Sequence, residues 1–526
     1  MRFRLSGWQL ALLLLLAAAA SGSAVLLLWR GDGDGWSKAG WLPSAEGAAG
    51  WSAEELAKLN KVLEMVENRS LFATDRERLL DGAIQGMLES LGDPYTVYMP
   101  ADEAARYADS LQGAFTGIGA ELMIEKGRVV VVAPITGSPA EKAGLKPKDI
   151  LLSVNGEPLQ GLSLHEAVEK IRGPKGTKAK LRVLRPGVEG ELELELVRDR
   201  IAVETVRGEL GADGVGRLWI SQFTSDTFTK AEEELKKLEA GGMRGLVLDL
   251  RNNPGGILTT VVAVAELFVP QGETILFYED RAGTRQAERS RGELTAPKPY
   301  PVVVLVNGGS ASSAEALAGA LKQSAGAVLV GERTYGKGTI QMNYEKELGD
   351  GSLVKMTAYK WLLPDGTWVN GEGLKPDVEV RLPAWFSAPR LPRDRVLEID
   401  QAGDDVRILQ LILEGLGLPA NRSDGYFDQS TLESVRAFQR REGLPVTGKV
   451  DAVTADRLEE TLYLNMLDPE RDTQWTTARR MVIEAAGAMT PGRGPGGEDG
   501  EASARTGEGN SAPASNNLGV ELHMIA

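Results

Sequence analysis

The sequence predicts a multidomain α/β protein: an apolar N-terminal helix, a helical segment, an α/β core and a small helical module near the end. Three observations predict it. The chain has 526 residues, 42% hydrophobic and 25% charged, which suits several ordinary globular cores. Its middle alternates β-branched runs with helical patterns, most clearly at 302–306 followed by 314–321. Its two ends differ from that middle, with one long apolar run at the start and turn-and-helix repeats after about residue 403.

Composition excludes several classes of function. A net charge of −15 argues against nucleic acid or a polybasic membrane surface as partner. The absence of Cys removes disulfides, thiol nucleophiles and thiolate metal sites. Only two histidines occur, His165 and His523, far apart in sequence. A His-rich metal centre is therefore not expected, and no metal or cofactor is implied.

Arg2 and Arg4 precede an apolar run over 8–29, bracketed by Trp8 and Trp29. As a helix it would span roughly 33 Å, enough to cross a bilayer. We expect a signal-anchor over residues 1–30, in the cytoplasmic membrane, with the N-terminus inside and the rest extracytoplasmic. The small residues of 17–24 also suit a signal peptidase, so secretion after cleavage is the alternative. Residues 31–50 read as a Gly/Ala/Ser-rich linker.

Residues 51–111 predict a helical region. Ser52-Ala-Glu-Glu is a capping box, and Leu56, Leu59, Val62, Leu63 and Val66 form one apolar face. A second helix over 75–90 ends at Gly92-Asp-Pro-Tyr. Such faces fit a core or a homodimer contact. Residues 112–200 alternate strands with two short helices, and 201–385 form the α/β core.

The chemistry is expected inside that core. The strand 302–306 ends in small residues and runs straight into a helix, so a serine there sits beside helix N-terminal amides that favour negative charge. Ser312 is the candidate nucleophile, although Ser310, Ser312 or Ser313 could each be a plain N-cap. A serine needs a base. With no well-placed His, the base is a lysine. Lys337, flanked by Gly336 and Gly338 after another short strand, is the candidate, because a desolvated amine loses basicity. Gln341 follows on an apolar strand pattern, where its amide could orient the lysine. A further strand, 243–250, ends in the Pro254-Gly255-Gly256 turn, whose amides can face an oxyanion.

Ser312, Lys337 and Gln341, in Gly-Ser-Ala-Ser-x-x-Glu and Tyr-Gly-Lys-Gly-x-x-Gln contexts, resemble the active site of the carboxy-terminal processing proteases. These are Ser/Lys-dyad serine peptidases carrying a PDZ domain on a crotonase-like core. The resemblance runs from about residue 52 to 382. It implies an oxyanion hole from the amides of Gly255 or Gly256 and Ser313. Ser313 departs from the Ala of many relatives, with little expected effect because only its amide is recruited. Glu315 could steady the site or simply answer the helix dipole.

By the same resemblance, 112–200 is a PDZ domain. Phe115, Thr116, Gly117, Ile118 and Gly119 correspond to its carboxylate-binding loop, and the strand 120–124 would add a substrate C-terminus by β-augmentation. After a linker at 386–402, marked by Pro389 and Pro392, residues 403–465 resemble the three-helix peptidoglycan-binding domain of bacterial wall enzymes, notably in Ala437-Phe-Gln-Arg and Gly448-x-Val-Asp. Residues 466–526 predict one helix to about 488, then a Gly/Ala/Ser/Glu-rich disordered tail. Its apolar end, 520–526, is free to be bound by this PDZ domain or a neighbour's.

The expected function is an extracytoplasmic C-terminal processing endopeptidase, tethered to the wall and acting on protein or peptide substrates with exposed C-termini. Two rivals belong to other classes. One is a catalytically inactive PDZ/peptidoglycan-binding scaffold, which the intact Ser, Lys and Gln oppose. The other is an acyl-CoA enzyme on the crotonase-like fold, which the export segment opposes.

Overall fold

The computed structural model describes residues 50–489, except 73, 74, 126, 136, 163, 187 and 189, together with 524 and 525. The expected signal-anchor and nearly all of the linker before residue 51 lie outside the described residues. So does the expected disordered stretch, apart from 524 and 525. Among the described residues, no helix is long and apolar enough to cross a membrane.

Among the described residues, those up to 83 fall in one unit and those from 84 onward in another. In the first, helix α1 (Ala53–Arg69) opens with the expected capping box. The Ser52 amide donates to Glu55 Oε2 (2.7 Å), and the Glu55 amide donates back to Ser52 Oγ (3.2 Å). No residue of α1 is buried, and Leu56, Leu59, Val62 and Met65 are exposed. The face predicted from its spacing therefore exists but covers no core. Helix α2 (Arg76–Glu89) likewise buries no residue.

The second unit holds three compact parts. Strand β1 (Val97–Met99) and helix α3 (Ala101–Leu111) follow the Gly-Asp-Pro-Tyr break. Strands β2 (Ala114–Gly117), β3 (Ala120–Glu125), β4 (Arg128–Pro134), β5 (Ile150–Val154), β6 (Glu157–Pro158), β7 (Lys178–Leu184), β8 (Glu191–Val197) and β9 (Asp199–Ala202) build the PDZ region with helices α4 (Pro139–Lys142) and α5 (Leu164–Ile171). β3, β4, β5, β7 and β8 are neighbours in one antiparallel sheet, with Ile118, Leu122, Val131, Leu151, Val168 and Leu181 in its core. β2 pairs with β9 instead, closing the region at its base.

The α/β core has two sheets. The first runs β10 (Val206–Leu210), β11 (Val215–Ile220), β12 (Gly245–Asp249), then three further strands taken up below. Helix α6 (Thr227–Ala240) joins β11 to β12, and α7 (Leu258–Glu266) follows β12. After β13 (Thr274–Glu279) and β14 (Arg285–Arg289) come β15 (Val302–Val306), α8 (Ser313–Ser324), β16 (Val328–Gly331), β17 (Thr339–Tyr344), β18 (Leu353–Leu362) and β19 (Val378–Glu379). The sheet order is β10-β11-β12-β15-β16-β19, parallel from β11 onward. β12 and β15 are continuous apolar runs because both sheet faces are covered, as parallel sheets require. α6, α7 and α8 cover one face through Leu235, Val264 and Leu317. β1, β13, β14, β17 and β18 form the second sheet. β1 pairs with β18, so residues 97–99, expected in the N-terminal helical region, belong to the core instead.

Two boundaries toward the C-terminus also move. Helices α9 (Asp404–Gly415), α10 (Gln429–Arg441) and α11 (Ala452–Met466) form the expected three-helix module. Yet Trp385, Leu391 and Leu397, from the end of the expected core and the expected linker, are buried in the module's core, and Leu397 bridges to Val450. Arg393 pairs with Asp456 (2.9 Å) and Glu459 (2.7 Å). The stretch is therefore part of the module, since burying those side chains removes apolar surface from water.

The last helix, α12 (Thr473–Met489), returns to the α/β core and covers the open face of the first sheet. Ala478 and Val482 pack on Val215, Val247, Val303, Leu305 and Val330. The core is thus a three-layer sandwich whose second helical layer arrives about a hundred residues after its last strand.

Candidate active site

Three loops leave the C-terminal ends of β12, β15 and β16, adjacent parallel strands, which is where open α/β sheets place their sites. They carry Gly255 and Gly256, Ser312, and Lys337. The first two are laced together. The Asn252 amide donates to Asn307 Oδ1 (2.9 Å), and Asn307 Nδ2 donates to Asn252 Oδ1 (2.8 Å). The Ala311 amide donates to the Asn253 carbonyl (2.9 Å). Ser310 Oγ is fully buried and donates to the Leu250 carbonyl (2.8 Å). Among the three candidate cap serines, Ser310 therefore holds the turn.

Beneath this turn Asp249 is buried with two arginines. Its Oδ2 lies 2.6 Å from Arg217 and 2.7 Å from Arg251. Burial alone would raise its pKa. Arg251 and Arg217 outweigh burial and hold the carboxyl well below the usual carboxylate range. Arg251 also meets Asp472 (2.8 Å) and Gln474 Oε1 (3.0 Å), so the start of α12 braces the turn from below.

Ser312 sits at the strand-to-helix corner with φ 56° and ψ −117°. A non-glycine residue in that region carries backbone strain, of the kind found at nucleophile elbows. The corner is fixed by Glu315, which is fully buried. Its Oε2 accepts the amide of Ser312 (2.8 Å) and the amide of Lys337 (2.9 Å). Its Oε1 accepts the Gly336 amide (2.8 Å) and Thr334 Oγ1 (2.5 Å). One carboxylate oxygen thus ties the backbones of both predicted catalytic residues together. The helix-dipole reading of Glu315 is too small for this geometry.

Lys337 is half-buried. Burial, then the nearby Lys355 ammonium, lowers its pKa to about 8, against the opposing charges of Asp93 and Glu315. Its Nζ stands 4.6 Å from the centroid of the Tyr95 ring. The flanking glycines let the backbone approach its neighbours closely. A Cβ on Gly336 would meet the Gly373 amide nitrogen at 2.8 Å, and one on Gly338 would meet Trp368 Nε1 at 2.5 Å. They admit close neighbours to the loop rather than clearing space around the amine. Trp361 and Trp368 indoles donate to the Lys337 (2.9 Å) and Gly338 (2.8 Å) carbonyls.

Gln341 lies on β17 beside a bulge opposite β18. Its Nε2 donates to Thr339 Oγ1 and Thr357 Oγ1, both at 3.0 Å. The described hydrogen bonds of its amide run to these threonines and not to Lys337. The Thr357 amide in turn donates to Thr96 Oγ1 (3.1 Å), whose hydroxyl donates to Asp93 Oδ2 (2.6 Å). The Gly-Asp-Pro-Tyr-Thr stretch therefore lines this side of the site through Asp93, Tyr95 and Thr96. Sequence reading treated it only as a helix break with a family likeness, because nothing local marks a distant contact.

At the glycine turn the two candidates separate. The Gly255 amide donates to Asn253 Oδ1 (2.8 Å) and is thereby committed. At φ 102°, a Cβ there would lie 3.0 Å from both Ser312 Cβ and the Ser313 amide nitrogen. Gly256, at φ 144°, could not hold a Cβ, which would fall 2.1 Å from the Phe223 carbonyl oxygen. Ser313 uses more than its amide, since its hydroxyl donates to the Gly256 carbonyl (3.0 Å) and clips α8 to the turn.

In the PDZ region, Phe115, Thr116 and Gly117 lie in β2 and pair with Ile201, Arg200 and Asp199. They belong to the base of the domain. Of the expected carboxylate-binding stretch, Ile118 and Gly119 form the turn between β2 and β3. Gly119 has φ 77°, and its carbonyl accepts Ser138 Oγ (2.8 Å). His165 is on α5 in this region, away from the three loops. Among the described residues, no cluster of acidic or His side chains could hold a metal ion.

Comparison with known proteins matches four segments of the chain. Residues 214–380 match the model of peptidase family S41, 130–185 a PDZ domain, 402–458 a peptidoglycan binding domain and 18–103 the N-terminal domain of the activating protease CtpB. The carboxy-terminal processing protease CtpB of Bacillus subtilis is 40% identical over 432 residues, covering 81% of this chain and 88% of the relative. The chain belongs to the carboxy-terminal processing proteases of peptidase family S41. It is a serine-type peptidase. CtpA of the same organism is 39% identical over 80% of this chain and 89% of its own. A CtpA-like serine protease of Staphylococcus aureus is 34% identical over 77% and 81%. Helix α12 lies outside all four matched segments.

Proposed function

We propose that this C-terminal processing protease cleaves with a Ser312/Lys337 dyad. The observation that carries the reading is the shared carboxylate of Glu315, which fixes both backbones while burial keeps the Lys337 amine weakly basic. Ser312 Oγ attacks the scissile carbonyl as Lys337 Nζ takes its proton. The carbonyl electron pair moves to oxygen, where the amides of Gly256 and Ser313 stabilise it. Collapse breaks the C–N bond, and the Lys337 ammonium returns the proton to the leaving amine. Lys337 then takes a proton from water, which attacks the acyl carbonyl, and gives that proton to Ser312 Oγ as the acyl C–O bond breaks. Gln341, braced by Thr339 and Thr357, shapes the lysine's side of the site.

The PDZ groove beside β3 captures exposed C-termini and delivers them to Ser312. The apolar run at 8–29 holds the enzyme in the cytoplasmic membrane with its catalytic part outside. The helical module tethers it to peptidoglycan, and the exposed apolar face of α1 is a contact between two copies. The test compares wild type, Ser312→Ala and Lys337→Ala on an unfolded protein, with products read by mass spectrometry. Cleavage by wild type alone, with both variants folded, is expected. Cleavage surviving in Ser312→Ala would reject the nucleophile. Sedimentation with purified sacculi tests the tether.

A further inference from the structure

The PDZ sheet has one strand more than the PDZ region itself supplies. A short strand, β20 (Met524–Ile525), pairs antiparallel with β3, Met524 opposite Leu122 and Ile525 opposite Glu121. It also lies against α5, so it occupies the groove between β3 and α5. Without it β3 would be a bare sheet edge, a template for any extended segment. The register runs the chain toward Ala120 and hence toward the Ile118–Gly119 loop. This is the polarity with which a strand-adding ligand would approach that loop. Residues 490–523, which join α12 to β20 in sequence, can extend to about 100 Å.

We propose that residues 520–526 are an internal ligand of the PDZ groove, so that the site which takes substrate C-termini is occupied by the enzyme's own chain until substrate displaces it. The proposal rests on the reading of the β3–α5 groove as the peptide site. A tethered ligand at an effective concentration of about 1 mM, with a Kd of about 100 μM, weakens a competing probe about tenfold. Occupancy would therefore act as a threshold, rejecting weak C-termini while strong ones compete through.

The test uses a fluorescent peptide with the sequence of residues 520–526 and reads its anisotropy. It compares the full chain, a chain ending at Gly519, and a Met524→Pro chain, all carrying Ser312→Ala so that self-cleavage cannot remove the tail. The expected result is binding to the truncated chain about tenfold tighter than to the full chain, independent of protein dilution. Met524→Pro, which lacks the amide opposite Leu122 on the side facing β3, should behave like the truncation. Equal binding to all three chains would overturn the proposal. So would absence of binding to the truncated chain, or competition that fades on dilution, which would place the tail in a second copy. Cleavage by the wild-type dyad is scored separately, so failure of either reading is seen on its own.

Discussion

The depressed basicity of Lys337 makes a quantitative prediction. A lysine with its ordinary value of 10.5 is about 0.03% neutral at pH 7, whereas at a pKa of about 8 about 10% is neutral. If the neutral amine is the base, kcat/KM rises with pH on a limb of unit slope. The neutral fraction goes from about 1% at pH 6 to about 90% at pH 9, so activity should climb roughly 90-fold. The neighbours supply a test of sign. Lys355 opposes the ammonium, so Lys355→Met should move the midpoint alkaline. Asp93 supports the ammonium, so Asp93→Asn should move it acid. The assay is initial rate against pH on an internally quenched peptide without groups titrating in that range. A flat profile, a midpoint near 10.5, or two shifts of the same sign would refute the reasoning. Stability follows the opposite bookkeeping. Between about pH 8 and 10.5 the unfolded chain binds more proton at Lys337 than the folded one, so stability rises with pH through that window. Below it the cost is full, and Lys337→Met should be more stable than wild type at pH 7.

Three further outcomes are expected. Glu315→Gln turns an NH2 group toward donors, leaving at least one of the four hydrogen bonds unmade. It should cost about 2–4 kcal/mol by thermal unfolding and about 100-fold in activity, and wild-type-like values would show that the clamp is dispensable. Ser312→Gly and Ser312→Ala should both be inactive, but the glycine variant should be about 1 kcal/mol more stable because φ 56° with ψ −117° strains any side chain. Equal melting temperatures would deny the strain. Val482→Asp places an unpaired charge on the buried face of α12 and should destabilise the α/β core by about 3–5 kcal/mol, whereas an unchanged core transition would mean α12 is peripheral.

The strand-turn-helix corner of Ser312 and the loop of Lys337 were legible because their signals are local. A β-branched run, a small-residue turn and a helix are adjacent in sequence, and the lack of Cys with two isolated histidines left lysine as base. The three-helix module was legible for the same reason, from its capping aspartates and repeated turns. What sequence missed is non-local. Nothing around Tyr95 or Asp93 announces that β1 will pair with β18 and bring them beside Lys337. The role of Gly255 changed because Asn253, two residues earlier, takes its amide.

The sequence by itself determined the order of the domains, the strand-turn-helix corner of Ser312, the loop of Lys337 and the absence of thiol chemistry, because each follows from residue type and short-range spacing. The tertiary structure decided which residues hold that chemistry in place. Glu315 becomes a clamp only when two strand-end loops converge on it, Trp385 to Leu397 joins a core only when Val450 folds back, and α12 becomes the second layer of the sandwich only because the sheet's open face needs apolar cover. Residues 524 and 525 become a sheet strand for a related reason: the unpaired amides and carbonyls at the edge of β3 accept whatever extended backbone reaches them.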